Sequence, residues 1–274
     1  MSETKDTKSL SFFGHLEELR WRLVRVAVVI LVFALVLFVY RKEAMDTVFM
    51  SMLHPDFPTY VWFCEMGQLT GIDDLCVSGP LELTVQSDTM MGEFSASMFY
   101  SIIGGIILSF PVLFYQIWTF VKPALKQNEL SASKGIIFYT SFLFFLGIAF
   151  GYFILSPLCV QFAGTFNLSD QIVNLPSISS FMSMIVMTTF YTGLLFELPV
   201  IIFLLTKIGV IGPAFLRRFR KHAIVIVLIV AAIITPPDVI SQMIVSVPIM
   251  ILYEISILIS TRTERKRLQK QKSA

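Results

Sequence analysis

Residues 110–129, FPVLFYQIWTFVKPALKQNE, decide how the chain is read. A long apolar run stops at Lys122 and Pro123 and leaves one carboxylate, Glu129, among Lys122, Lys126 and Lys134. Proline has no backbone donor and disfavours helix at the residue before it, so the helix carrying Tyr115, Trp118 and Phe120 is expected to end or bend sharply at Pro123. An aromatic cluster beside a short basic loop marks a lipid–water boundary. The rest of the chain then reads as a membrane scaffold built around this corner.

Composition points the same way. Of 274 residues, 55% are hydrophobic and only 15% charged, and the mean hydropathy of +0.77 lies outside what a water-soluble domain needs to stay dissolved. The chain reads as an all-α integral membrane protein, because a transmembrane barrel would show alternating segments of roughly ten residues in place of long apolar runs.

Six such runs follow in order, at 23–40, 94–121, 135–158, 181–206, 223–235 and 239–260. The first is followed by Arg41 and Lys42 and lacks the small-residue exit of a signal peptide, so it is expected to be retained. The second is interrupted by Pro111, and the fourth contains Glu197 and Pro199. Ahead of the first run, apolar residues at 12, 16, 19 and 23 share one helical face and predict a short helix lying on the membrane. Residues 41–93 form an outer loop too long for a simple turn, and residues 261–274 form a polar tail. The fifth run has 13 residues and at helical rise reaches roughly 20 Å, against about 30 Å of hydrocarbon. Such a hairpin thins the bilayer, sits to one side of it or leans on longer neighbours. Long helices at one end and stunted ones at the other predict a concave, glove-like bundle.

Basic residues give the orientation. Nineteen of the 21 Lys and Arg fall in the N-terminal segment, loop 122–134, loop 207–222 and the tail, and only Arg41 and Lys42 fall on the other side. The positive-inside rule therefore places both termini in the cytoplasm with six spans. The basic tail reads as a topology anchor near anionic lipid and not as a nucleic-acid site.

Outer loop 41–93 carries nine acids together with Cys64 and Cys76, which are candidates for a disulfide if the loop faces an oxidising compartment. The three histidines are scattered and no His/Cys cluster has metal spacing. There is no P-loop, GxSxG or HExxH motif, so the reading is a non-enzyme with no metal or cofactor. What remains are carboxylates in unexpected places. Glu18 lies on the flank of the helical face at 12–23, where it either pairs with Arg22 at i,i+4 or serves a ligand. Glu129 is either a loop acid among lysines or a second such group. Glu197 lies nine residues, roughly 14 Å, inside its span, where an unpaired charge costs about 3 kcal/mol or more. It is either functional or a protonated carboxyl bonded to a backbone carbonyl freed by Pro199. Glu254 is near enough to the end of the sixth run to reach headgroups.

HLEELR at 15–20, YQIWTFVKPAL at 115–125 with Glu129 beyond it, FELPV at 196–200 and TPPDVISQ at 235–242 together resemble the TatC family of the twin-arginine protein translocase. The likeness runs in order over nearly the whole chain. It implies a receptor for signal peptides that carry paired arginines, with Glu18, Arg20, Phe120 and Glu129 forming the peptide site. It implies that Glu197 and Gln242 serve single-span TatA and TatB partners within the membrane. Pro123, Pro236, Pro237 and Asp238 match the family's turns. Self-association, export of folded proteins across a bacterial cytoplasmic membrane and coupling to the proton-motive force follow from the same resemblance. Two departures are the long first outer loop and Met52, which stands where the family suggests a proline. The competing class is a proton-coupled secondary transporter of a small solute, against which stands the lack of an internal repeat.

Overall fold

The computed structural model describes residues 12–70, 83–121, 135–166, 169, 175–235 and 239–272, and the regular elements within them are all helical, with one isolated bridge between Gln86 and Ser177. The helices are α1 (Phe12–Val39), α2 (Arg41–Ala44), α3 (Pro58–Thr70), α4 (Gly92–Val121), α5 (Ile136–Phe150), α6 (Ser156–Thr165), α7 (Ile178–Phe196), α8 (Leu198–Ile208), α9 (Pro213–Arg218), α10 (Arg220–Ile234) and α11 (Val239–Lys272). Five stretches are long and apolar enough to cross a membrane: Glu17–Val39, Gly92–Phe120, Ile136–Thr165, Ile178–Ile208 and Ser241–Gln269. The chain is thus an all-helical, multi-span membrane protein. Helix α10, with 15 residues, spans roughly 22 Å, which keeps it short of a full crossing as the sequence suggests.

Three sequence expectations are corrected. The surface helix expected at 12–23 is not a separate element, because α1 runs unbroken from Phe12 to Val39; no proline falls in that range and its one glycine, Gly14, sits in the first turn, so nothing stops the helix. Pro111 does not interrupt the second run, since α4 continues through it to Val121. Trp118 is not part of an exposed belt. It is 4% exposed and packs with Ile136 and Val200, while Tyr115 one turn earlier faces outward. The 261–272 part of the tail is also helical, a direct continuation of α11.

Helix pairs meet where side chains are small, the usual solution when lipid is as apolar as leucine. Helix α1 packs along α4, and a Cβ on Gly105 would stand 2.8 Å from the Ile30 carbonyl oxygen, so only glycine permits that approach. Between α5 and α7, a Cβ on Gly147 would meet Phe196 at 2.8 Å. Helices α5 and α6 are joined by a π-turn, Gly151–Leu155. There the Ser156 hydroxyl lies 3.2 Å from that of Thr189.

The described parts of segment 41–93 are built and not slack. A π-turn (Met45–Phe49), a 3-10 turn (Met50–Leu53) and α3 close over the ends of α4, α6 and α7. Met52 is fully buried, and the Tyr60 hydroxyl lies 3.1 Å from both the Met52 and the Pro157 carbonyls. Burial pushes the Tyr60 phenol above its usual range. Gln86 bridges to Ser177, with Ile178 N–H donating to the Gln86 carbonyl at 2.8 Å, which fixes the segment before α4 against the start of α7. Cys64 is disulfide-bonded and Cys159 is a buried thiol, while Cys76 lies outside the described residues.

Candidate functional site

The HLEELR segment forms the first turns of α1, where residues four apart share a face. On the outward side, Arg20 pairs with Glu17 at 3.3 Å and lies over the Trp21 ring at 5.5 Å. The Trp21 indole N–H donates to Glu17 at 3.2 Å. On the side toward α4, Arg22 donates through Nη2 to Glu18 and through Nη1 to the Gln116 carbonyl at 3.4 Å. Arg22 is largely buried, with 14% of its side chain exposed, and its Nε has no partner; Glu18 stays 35% exposed. The pair Glu18–Arg22 is therefore real, and it also clamps the start of α1 to the last turns of α4. Phe120, half-buried, lies one turn beyond Gln116. Pro123 and Glu129 lie outside the described residues. Sequence reasoning found Glu18 and its i,i+4 partner but missed the tie to Gln116, which joins positions 94 apart.

The second group lies inside the membrane. Glu197 sits at the break between α7 and α8. Pro199 cannot supply a helical N–H, and the chain turns tightly: Glu197 N–H donates to the Leu194 carbonyl at 3.1 Å, and its own carbonyl accepts from Val200 and Ile201 at 3.0 Å each. The side chain is 7% exposed and its Oε1 has no hydrogen-bond partner. A buried, incompletely satisfied carboxyl inside a span is a functional candidate. Gln242 donates to the Leu228 carbonyl at 3.0 Å and so binds α11 to α10. Pro236, Pro237 and Asp238 lie outside the described residues. Glu254 pairs with Arg220 at 2.8 Å. Among the described residues no group of three His, Cys, Asp or Glu is arranged to hold a metal ion.

Long spanning helices, a polar corner that joins the first two of them, and a buried carboxyl at a helix break within a span define a polytopic membrane protein with carboxylates as its candidate functional groups. The family profile described as "Sec-independent protein translocase protein (TatC)" matches residues 14–248, and the chain belongs to that family. It is 37% identical over 265 residues to the TatC protein of Blattabacterium sp. subsp. Periplaneta americana, covering 96% of this chain and 99% of that one. It is 34% identical over 257 residues to the TatCy protein of Bacillus subtilis, covering 94% and 91%. A solved structure, "Crystal Structure of Twin Arginine Translocase Receptor- TatC", is similar with a TM-score of 0.68 and 28% identity over 91% of this chain and 99% of that one. The chain is accordingly a protein-transport component and not an enzyme.

Proposed function

We propose that this chain is the receptor subunit that reads the paired arginines of a signal peptide, and that Glu18 and Glu129 accept them with Arg20 and Phe120 beside them. The observation that carries the reading is the Arg22 clamp. It holds Glu18 against the last turns of α4, the helix from which loop 122–134 and Glu129 depart. Arginine's planar fork matches a carboxylate bidentately, whereas lysine presents a point charge, so two glutamates suit two arginines.

The same reading places both termini in the cytoplasm with six spans in a glove-like bundle, counting α10 as a short fifth span, in the cytoplasmic membrane of a bacterium. The peptide's apolar part lies along the concave side while the cargo stays folded. Glu197 and Gln242, each within the membrane, receive the single-span TatA- and TatB-type partners, and the complex self-associates. The family resemblance implies the proton-motive force as the driving force. The pairing of Cys64 with Cys76 belongs to this proposal. Site-specific crosslinking from positions 18 and 129 to an Arg-Arg signal peptide in native membranes tests it: both positions should capture the region around the arginines. Capture from neither, with capture from an outer-loop position, would overturn it.

A further inference from the structure

The corner formed by α9 and the start of α10 is strongly basic, carrying Arg217, Arg218, Arg220, Lys221 and His222. Two of these are committed. Arg220 pairs with Glu254, and Arg217 donates to the Thr261 hydroxyl at 3.3 Å. Arg218, Lys221 and His222 are exposed and have no acidic partner among the described residues. Beside them, the Phe215 and Phe219 rings stack at 4.3 Å while remaining 49% and 38% exposed. A cavity of about 600 Å³ is lined by Ala214, Phe215, Arg218, Phe219 and His222.

The depth of this corner makes it unusual. Helix α11 serves as a ruler, because side-chain contacts tie other elements to it at known positions. The Thr206 and Ser260 hydroxyls meet at 2.9 Å, which marks where α8 ends beside the end of the α11 apolar run. The corner attaches along a stretch of α11 that runs inward from that level: Arg217 reaches Thr261, the Tyr253 hydroxyl donates to the Leu216 carbonyl at 2.8 Å, and Glu254 takes Arg220. Residue 254 precedes residue 260 by six positions, roughly 9 Å at helical rise. A flat bilayer whose boundary met the end of α8 would therefore bring hydrocarbon toward the α10 side of the corner, at Lys221, while Arg218 lies nearer the boundary. Charged groups at that depth draw polar headgroups toward themselves.

We infer that the α9–α10 corner is a binding site for the phosphate of an anionic membrane lipid, drawn inward at this point. Arg218, Lys221 and His222 hold the phosphate, and the Phe215–Phe219 stack packs against the glycerol and upper acyl segments. Charge complementarity, an open groove large enough for a headgroup and an exposed apolar phenylalanine wall select this occupant over a protein segment. The inference does not depend on signal-peptide reading.

The test uses the purified full-length chain in neutral detergent, titrated with phosphatidylglycerol or phosphatidylcholine, with bound lipid counted by native mass spectrometry. The wild type should retain phosphatidylglycerol in preference to phosphatidylcholine. Each cation removed should weaken phosphatidylglycerol binding by about five-fold, so Arg218→Gln with Lys221→Gln should lose roughly twenty-five-fold, with phosphatidylcholine unchanged. Arg218→Lys, which keeps the charge, should bind nearly as the wild type does. The tail pair Arg265→Gln with Lys266→Gln should have little effect, and millimolar inorganic phosphate should not displace the lipid. If the double variant aggregates, Arg218→Gln and His222→Gln singly carry the test. Equal retention of the two lipids, equal loss in the tail pair, displacement by inorganic phosphate, or unchanged binding in the corner variants would each overturn the inference.

Discussion

At the residue scale, Arg22 and Glu197 show what a sequence can and cannot disclose. The i,i+4 spacing of Glu18 and Arg22 announces an ion pair, and the structure contains it. That the same guanidinium also reaches Gln116 depends on how α1 lies against α4, and no local pattern encodes that. Trp118 makes the converse point: its type and position suggest a boundary residue, yet Ile136 and Val200 enclose it. Glu197 was conspicuous because an acid in an apolar run has no cheap explanation, and Pro199 two positions on announces the helix break. The alternative in which a freed backbone carbonyl satisfies the carboxyl finds no support at Oε1, which has no partner. If Glu197 serves a partner helix, Glu197→Ala should weaken co-purification of single-span partners while leaving Arg-Arg peptide binding near normal. Co-purification and peptide binding measured on one preparation check this, and collapse of peptide binding with partner assembly intact would reverse the assignment.

Elements were legible where apolar runs are long and unbroken, and less so where a breaker had to be weighed. Pro111 looks like an interruption, but α4 tolerates it, since neighbouring helices can hold a kinked segment inside a bilayer. The surface helix at 12–23 and the first apolar run looked distinct because polarity changes between them. A helix follows backbone continuity and not polarity, so α1 carries both. Its fit against α4 rests on Gly105. Gly105→Leu should force the two helices apart and destabilise the fold by about 1–3 kcal/mol, the range for overpacking. Thermal unfolding in detergent should show a lowered midpoint, whereas an unchanged midpoint would mean that the contact with Ile30 and Ala34 is not tight.

At the scale of the whole molecule, the order of runs, the membrane class and the stunted hairpin follow from composition and length, and family membership agrees with the motif order read from the sequence. The cap built by the described parts of segment 41–93 was not legible, because Tyr60, Met52 and Pro157 meet only after the chain has folded back across about a hundred positions. Nor was the depth of the α9–α10 corner, which needs Leu216, Tyr253, Arg220 and Glu254 in place. Orientation rests on the charge count and predicts that Cys64 and Cys76 face outward. A membrane-impermeant thiol reagent should label them in reduced intact cells, and labelling only after lysis would invert the topology.

The central claim, that Glu18 and Glu129 read an arginine pair, is tested most directly by measuring four combinations in one buffer: the native chain or its Gln variant at either acid, against an Arg-Arg or a Lys-Lys signal peptide. Each charge-assisted hydrogen bond contributes about 1.5–3 kcal/mol, so either Glu→Gln change should weaken Arg-Arg binding roughly ten- to a hundred-fold. The same changes should matter much less for the Lys-Lys peptide, because the lost contact is specific to arginine, and raising salt should narrow the difference. Equal losses for both peptides would contradict the account and show that the glutamates only support the local fold.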